Sequence, residues 1–257
     1  MSAVTLPEPS ALRDERRPGF ARLTVVELRK MVDTRSGFWL PVAVAAVTLI
    51  TVIITTLVHG GTYATISHLF DNAVQPGSFL LPILGVLLVC GEWTQRTTLA
   101  TFTLVPDRGR VLAAKLGAAV VLAIGAFLVC LVFAVIFAEA LPAPGGAGSI
   151  SLAVLGQGLL FLSITMVVGV AFGAAILISA PAIVAYLLLP TVWDALASSI
   201  HALATLDHWL DIGTTLGPLA QHTLSATQWA HAGTTVALWM AVPLAIGWWR
   251  FRNRDVS

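Results

Sequence analysis

FWLPVAVAAVTLITVIITTLV, running from Phe38 to Val58, contains no charged residue. An α-helix rises 1.5 Å per residue and a bilayer's hydrocarbon core is about 30 Å thick, so roughly 20 apolar residues cross it. The stretch therefore predicts a transmembrane helix. Working outward, five more stretches qualify or nearly do: 75–91, which is short unless it borrows from Ala73 and Trp93; 111–138, with Lys115 near its start; 151–174; 176–193; and 233–249. A tight break near Ser179, Ala180 and Pro181 separates the fourth from the fifth. Composition points the same way, with 57% hydrophobic and only 11% charged residues over 257 positions, where soluble domains carry about a quarter charged. The fold class expected is all-α, a polytopic membrane protein of six transmembrane helices spanning 38–249.

Charge gives the orientation. Seven Lys or Arg precede the first span, four (Arg96, Arg108, Arg110, Lys115) lie between the second and third, and three (Arg250, Arg252, Arg254) follow the sixth, which accounts for all 14. With six spans these clusters share one side, and the positive-inside rule makes it the cytoplasm, with both termini there. The opposite loops, near 59–76, 139–150 and 194–232, hold no Lys or Arg. The net charge of +1 gives no bulk balance that would attract nucleic acid. The first 37 residues mix basic side chains with Asp14, Glu15, Glu27 and Asp33, which is too long and too acidic for a signal-peptide n-region.

Local patterns refine this frame. Trp39, Trp93, Trp193, Trp248 and Trp249 stand at span ends, where indole rings rest at headgroup depth. Gly169 and Gly173 form a G-x-x-x-G in the fourth span, read as a helix-packing site. Cys90 and Cys130 fall at different membrane depths and read as small buried hydrophobes rather than a disulfide. All six histidines (His59, His68, His201, His208, His222, His231) fall in the outward loops with Asp71, Asp207 and Asp211. His208 and Asp211 could share a helix face, but no tight ligand pattern such as H-E-x-x-H occurs, and no metal site is assigned.

Two segments read as lying along the membrane. Over 1–37, a cytoplasmic tail leads into an amphipathic helix in which Phe20, Leu23, Leu28, Met31 and Val32 cover one face and Arg22, Arg29, Lys30 and Asp33 the other, with Val26 and Glu27 breaking the pattern. Gly37 reads as a flexible joint before the first span. In the outer segment 194–232, Leu203, Leu206 and Leu210 repeat at helical spacing, and Leu216, Leu219 and Leu224 follow after Gly213 and Gly217. Residues 250–257 form a second cytoplasmic tail.

The inward loop reads GEWTQRTTLATFTLVPDRGR from Gly91 to Arg110, followed by VLAAK to Lys115. Leu99, Phe102 and Val105 recur every three residues on one edge, and Pro106 turns the chain toward the third span. This pattern resembles the type-2 permease family of ABC transporters, in which an acidic residue, a Thr-containing amphipathic stretch, a Pro, an Arg and a Lys join the second and third spans. Glu92, Thr97, Leu99, Pro106, Arg108 and Lys115 match in order and spacing. The likeness extends over nearly the whole chain, including the basic pre-helix, the long outer segment and the Arg-rich tail. Two positions depart from it: Arg96 stands where a Gly often precedes the Thr, and Asp107 where a small or basic residue is usual.

The resemblance implies that segment 92–110 forms a short cytoplasmic coupling helix that contacts an ATPase through Glu92, Arg96, Thr97, Leu99, Phe102, Pro106 and Arg108. It also implies two ATPase subunits, a second permease, identical or homologous, and a place in the bacterial inner (plasma) membrane. No Gly-Lys-Ser/Thr occurs, the two lysines being Lys30 and Lys115, so ATP and Mg would bind the partner and the chain itself needs no cofactor. The function expected is export of an amphipathic or hydrophobic compound, such as a drug, antibiotic or lipid. An ATP-independent secondary transporter or channel is the alternative, although such proteins usually place an ionisable residue deep in a span. The spans read here have none at mid-depth, with Lys115 snorkelling inward and Glu139 and Asp194 at outer ends. An intramembrane enzyme fits least, since neither G-x-S-x-G nor H-E-x-x-H is present.

Overall fold

The computed structural model describes residues 19–58, 64–94 and 108–253, and among these there are helices and no strand. In order they are α1 (Phe20–Asp33), α2 (Arg35–Val58), α3 (Ile66–Thr94), α4 (Arg108–Ala140), α5 (Leu152–Ile176), α6 (Ser179–Ser199), α7 (His201–Leu210), α8 (Ile212–Leu216), a 3-10 turn (Gly217–Ala220), α9 (Ala226–Val236) and α10 (Val242–Asn253). A π-helical turn, Ala237–Ala241, joins α9 to α10. Six of the resulting rods are long and apolar enough to cross a membrane: Arg35–Val58, Ile66–Gly91, Gly109–Ala140, Leu152–Ile176, Ser179–Ser199 and Ala226–Arg250. This is the architecture of a multi-pass membrane protein.

Several boundaries differ from the sequence reading. The second span does not begin at 75 but extends back to Ile66, so His68 and Asp71 belong to α3 and not to a loop. The charged turn is tolerated there because Gln75 Nε2 donates to Asp71 Oδ1 (3.2 Å), and Asn72 Nδ2 donates to the His68 carbonyl (2.8 Å). The sixth span starts at Ala226 rather than 233, because Ser225 and Gln228 form a reciprocal capping box. The fifth begins at Ser179 and runs to Ser199, so the outer segment 194–232 surrenders both its ends to spans. Ile176 belongs instead to α5, which stops where Leu177 adopts a left-handed φ of 63° and donates its N–H to the Gly173 carbonyl (2.8 Å). The flanking residues 92–94 and 108–110 of the coupling segment continue α3 and α4.

Gly37 is not a joint. The corner between α1 and α2 is at Thr34, whose φ and ψ of −96° and 140° are extended, and Gly37 lies within α2. A Cβ on Gly37 would come 2.0 Å from the Met31 carbonyl oxygen, so the missing side chain is what lets α2 fold back tightly against the end of α1. The π turn has a local cause too. Pro243 has no N–H for the carbonyl of Trp239, and its ring crowds that oxygen, so the preceding residues widen.

α3 and α5 form the centre of the bundle, and α2, α4, α6 and the α9–α10 rod surround them. Lipid-facing rods gain nothing from apolar burial against one another, so close packing through small residues holds them. Gly169 illustrates this: a Cβ there would fall 2.1 Å from the Pro82 carbonyl oxygen, and one on Gly173 would fall 3.1 Å from the Val86 Cα. Gly85 answers from α3, lying against the backbone of Met166 and Val170. Ile50, Ile54, Leu128, Val132, Leu188 and Ile246 on the surrounding helices remain exposed, as a lipid-facing surface requires.

Gly169→Val should force α3 and α5 apart and lower stability by about 1–3 kcal/mol or more, since backbone cannot rotate away as a side chain can. Gly156→Val on the same helix, where nothing lies within 4 Å, should have little effect. Thermal unfolding in detergent micelles compares the two.

Candidate functional site

One end of the bundle collects every Lys and Arg whose side chain is described: Arg22, Arg29 and Lys30 on α1, Arg35 at the start of α2, Arg110 and Lys115 at the start of α4, and Arg250 near the end of α10. At this basic end α1 lies directly on α4. The face it turns inward is Thr24, Glu27 and Met31, all buried. Gly117 permits the approach, since a Cβ there would meet Phe20 Cζ at 2.9 Å and Thr24 Oγ1 at 3.0 Å. Val25, Val26 and Val32 point away and are exposed.

Glu27, which interrupts the amphipathic pattern, is the centre of a buried ion-pair node. Its Oε2 accepts from Lys115 Nζ at 2.6 Å and its Oε1 from Lys30 Nζ at 2.8 Å, while Lys115 Nζ also donates to the Leu88 carbonyl at 3.0 Å. Glu27 is 4% exposed and Lys115 1%. Lys115 therefore does not snorkel to the surface. A charge this deep persists only when paired and hydrogen-bonded, and the carboxylate that meets it comes from a helix 88 residues away in sequence. The node joins three helices, α1, α3 and α4.

Its position relative to the sequence motif is informative. Leu88 lies one turn before Glu92 near the end of α3, and Lys115 lies two turns after Arg108, the first residue of α4. The node thus sits at the mouth of the hairpin that segment 95–107 closes. Arg96, Thr97, Leu99, Phe102 and Pro106 lie outside the described residues; for Glu92 and Arg108 the backbone alone is described. Two further contacts bind this end: Arg250 donates to the Ala175 carbonyl at the end of α5, and Cys90 Sγ lies 3.5 Å from the Gly173 carbonyl oxygen. Cys90 and Cys130 are both buried, and Cys130 Sγ lies 3.2 Å from the Ala73 carbonyl oxygen.

The opposite end is acidic and tied down by polar contacts. Trp239 Nε1 donates to the Leu210 carbonyl (2.7 Å), Thr235 Oγ1 to that of Trp209 (3.0 Å), and Thr215 Oγ1 to Thr235 Oγ1 (2.8 Å). Leu216, Leu219 and Ala220 are sunk into the bundle core. Gln157, with its amide turned to suit its neighbours, donates to the His222 carbonyl (2.8 Å) and accepts from the Leu224 N–H (3.1 Å). This polar residue of the fourth span therefore anchors the outer segment. Asp194, Asp207 and Asp211 bring carboxylate oxygens within 4.8 Å of one another, a convergence that sequence spacing did not reveal. Asp211 also caps α8 through the Thr214 N–H at 2.6 Å.

No protein-family model matches the chain, and no curated protein matches it. The signal for the node was present in the sequence as one acid on an apolar helical face and one lysine inside a span, but nothing in the spacing pairs residues so far apart.

Glu27→Leu removes the carboxylate that Lys115 holds and should cost about 3–5 kcal/mol. Lys115→Met should cost less, because Lys30 still faces Glu27. Combining the two should recover most of the loss, since an apolar pair of similar volume is often no less stable than a buried ion pair. Denaturant unfolding in micelles reads the order of the three.

Proposed function

We propose that this chain is the membrane-spanning permease subunit of an ATP-binding cassette transporter, with its basic end in the cytoplasm. The observation that carries the reading is the gathering of the described Lys and Arg side chains at the end where α3 and α4 are joined by segment 95–107. The positive-inside rule then makes that segment cytoplasmic, and its residues are those that resemble the type-2 permeases. A protruding amphipathic turn there would seat in a groove of a soluble ATPase and pass rigid-body motion into the two helices it connects.

The chain supplies the path and the partner supplies the energy. No phosphate-binding loop occurs in the sequence, so ATP would be hydrolysed on two separate ATPase subunits, and a second permease would complete the pathway. The apolar character of all six rods suits export of an amphipathic or lipid-like compound. An ATP-independent carrier is the competing reading. Buried Lys115 does not favour it, because it lies near one end of α4, held by Glu27, and not at mid-depth.

Arg108→Glu and Phe102→Pro should each cut co-purification of the ATPase at least about tenfold, the scale of one lost charge-assisted contact. The membrane fold should survive, as judged by gel filtration and helix content. Wild-type retention of the ATPase by both variants, or transport in vesicles free of ATP, would refute the proposal.

A further inference from the structure

We infer that Glu27 is a positioning residue: it clamps α1 onto α3 and α4 in one register, and coupling of those helices to the partner ATPase depends on that register. This rests on the permease reading above. Three observations carry it.

The ion pair joins α1 to both arms of the hairpin at its mouth, with 2.6 Å from Glu27 to Lys115 and 3.0 Å from Lys115 to the Leu88 carbonyl. The rest of the α1 contact face, Phe20, Thr24 and Met31, is apolar or bonded within its own helix, Thr24 Oγ1 donating to the Phe20 carbonyl. Such a surface tolerates sliding by part of a turn, whereas a charge-assisted hydrogen bond with a buried lysine has one geometry. At its other end α1 is fixed to α2 by the Thr34 corner, where Gly37 lies hard against Met31 and its N–H donates to Thr34 Oγ1 at 3.1 Å. A movement of the hairpin is thereby passed to the first span as well. An apolar pair would hold the helices together as strongly. What the ions add is register.

The test uses the tagged full-length chain in its native membrane, solubilised and captured with whatever ATPase accompanies it. Three variants are compared with wild type: Glu27→Leu, the apolar pair Glu27→Leu with Lys115→Met, and the swapped pair Glu27→Lys with Lys115→Glu. Each is read for unfolding temperature, ATPase captured, and ATP hydrolysed per captured ATPase. The apolar pair should unfold near the wild-type temperature yet capture or drive the ATPase roughly 2- to 30-fold less well, the range for residues that tune coupling without touching a ligand. The swapped pair should recover part of that loss, as a purely structural contact would not require. An apolar pair equal to wild type in both ATPase readouts overturns the role of Glu27 while leaving the permease reading intact. A wild-type chain that captures no ATPase overturns both.

Discussion

Two helix backbones touch where Pro82 of α3 meets Gly169 of α5, and the bundle is arranged around that contact. In water, apolar faces are driven together by the solvent, but between lipid-facing rods the gain comes from close dispersion contact and from hydrogen bonds. Removing side chains at Gly85, Gly169 and Gly173 lets backbone approach backbone along the second half of both helices. The remaining rods then pack on this pair with one face each and leave the other face apolar and exposed. Tight centre and loose periphery follow from one constraint.

The two ends of the bundle are finished by different chemistry. At the basic end the binding forces are ionic: Glu27 meets Lys30 and Lys115, and Arg250 reaches the carbonyl end of α5. That last contact suits a helix C-terminus, where the free carbonyls carry partial negative charge. At the acidic end the forces are neutral hydrogen bonds, from Trp239 and Thr235 to carbonyls at the end of α7, from Thr215 to Thr235, and between Gln157 and the backbone of His222 and Leu224. A segment that read as lying along the membrane is instead wedged into the core through Leu216, Leu219 and Ala220.

Much of this was legible beforehand. The uncharged run after Phe38, the three clusters of cations and the G-x-x-x-G at Gly169 are local signals, each readable without knowing what lies next to it. The errors fell where locality fails. Asp71 read as loop because an acid in a span is costly in isolation, and Gln75 changes that cost only once the helix exists. Gly37 read as a hinge because its role, clearing the Met31 carbonyl, depends on a neighbouring helix. Val25 and Val26 are exposed and Thr24 and Glu27 buried because α4, not lipid, lies against α1.

By itself the sequence determined that the chain forms six apolar rods with its cations in three clusters, before the first rod, between the second and third, and after the sixth, because helix length and charge placement depend only on residues near one another along the chain. Tertiary structure alone decided that Glu27 and Lys115 are partners, that α3 and α5 are central and that Asp194, Asp207 and Asp211 converge. Burying a charge is unfavourable until its counter-charge arrives. That arrival is set by how whole helices dock, which no spacing along the chain records.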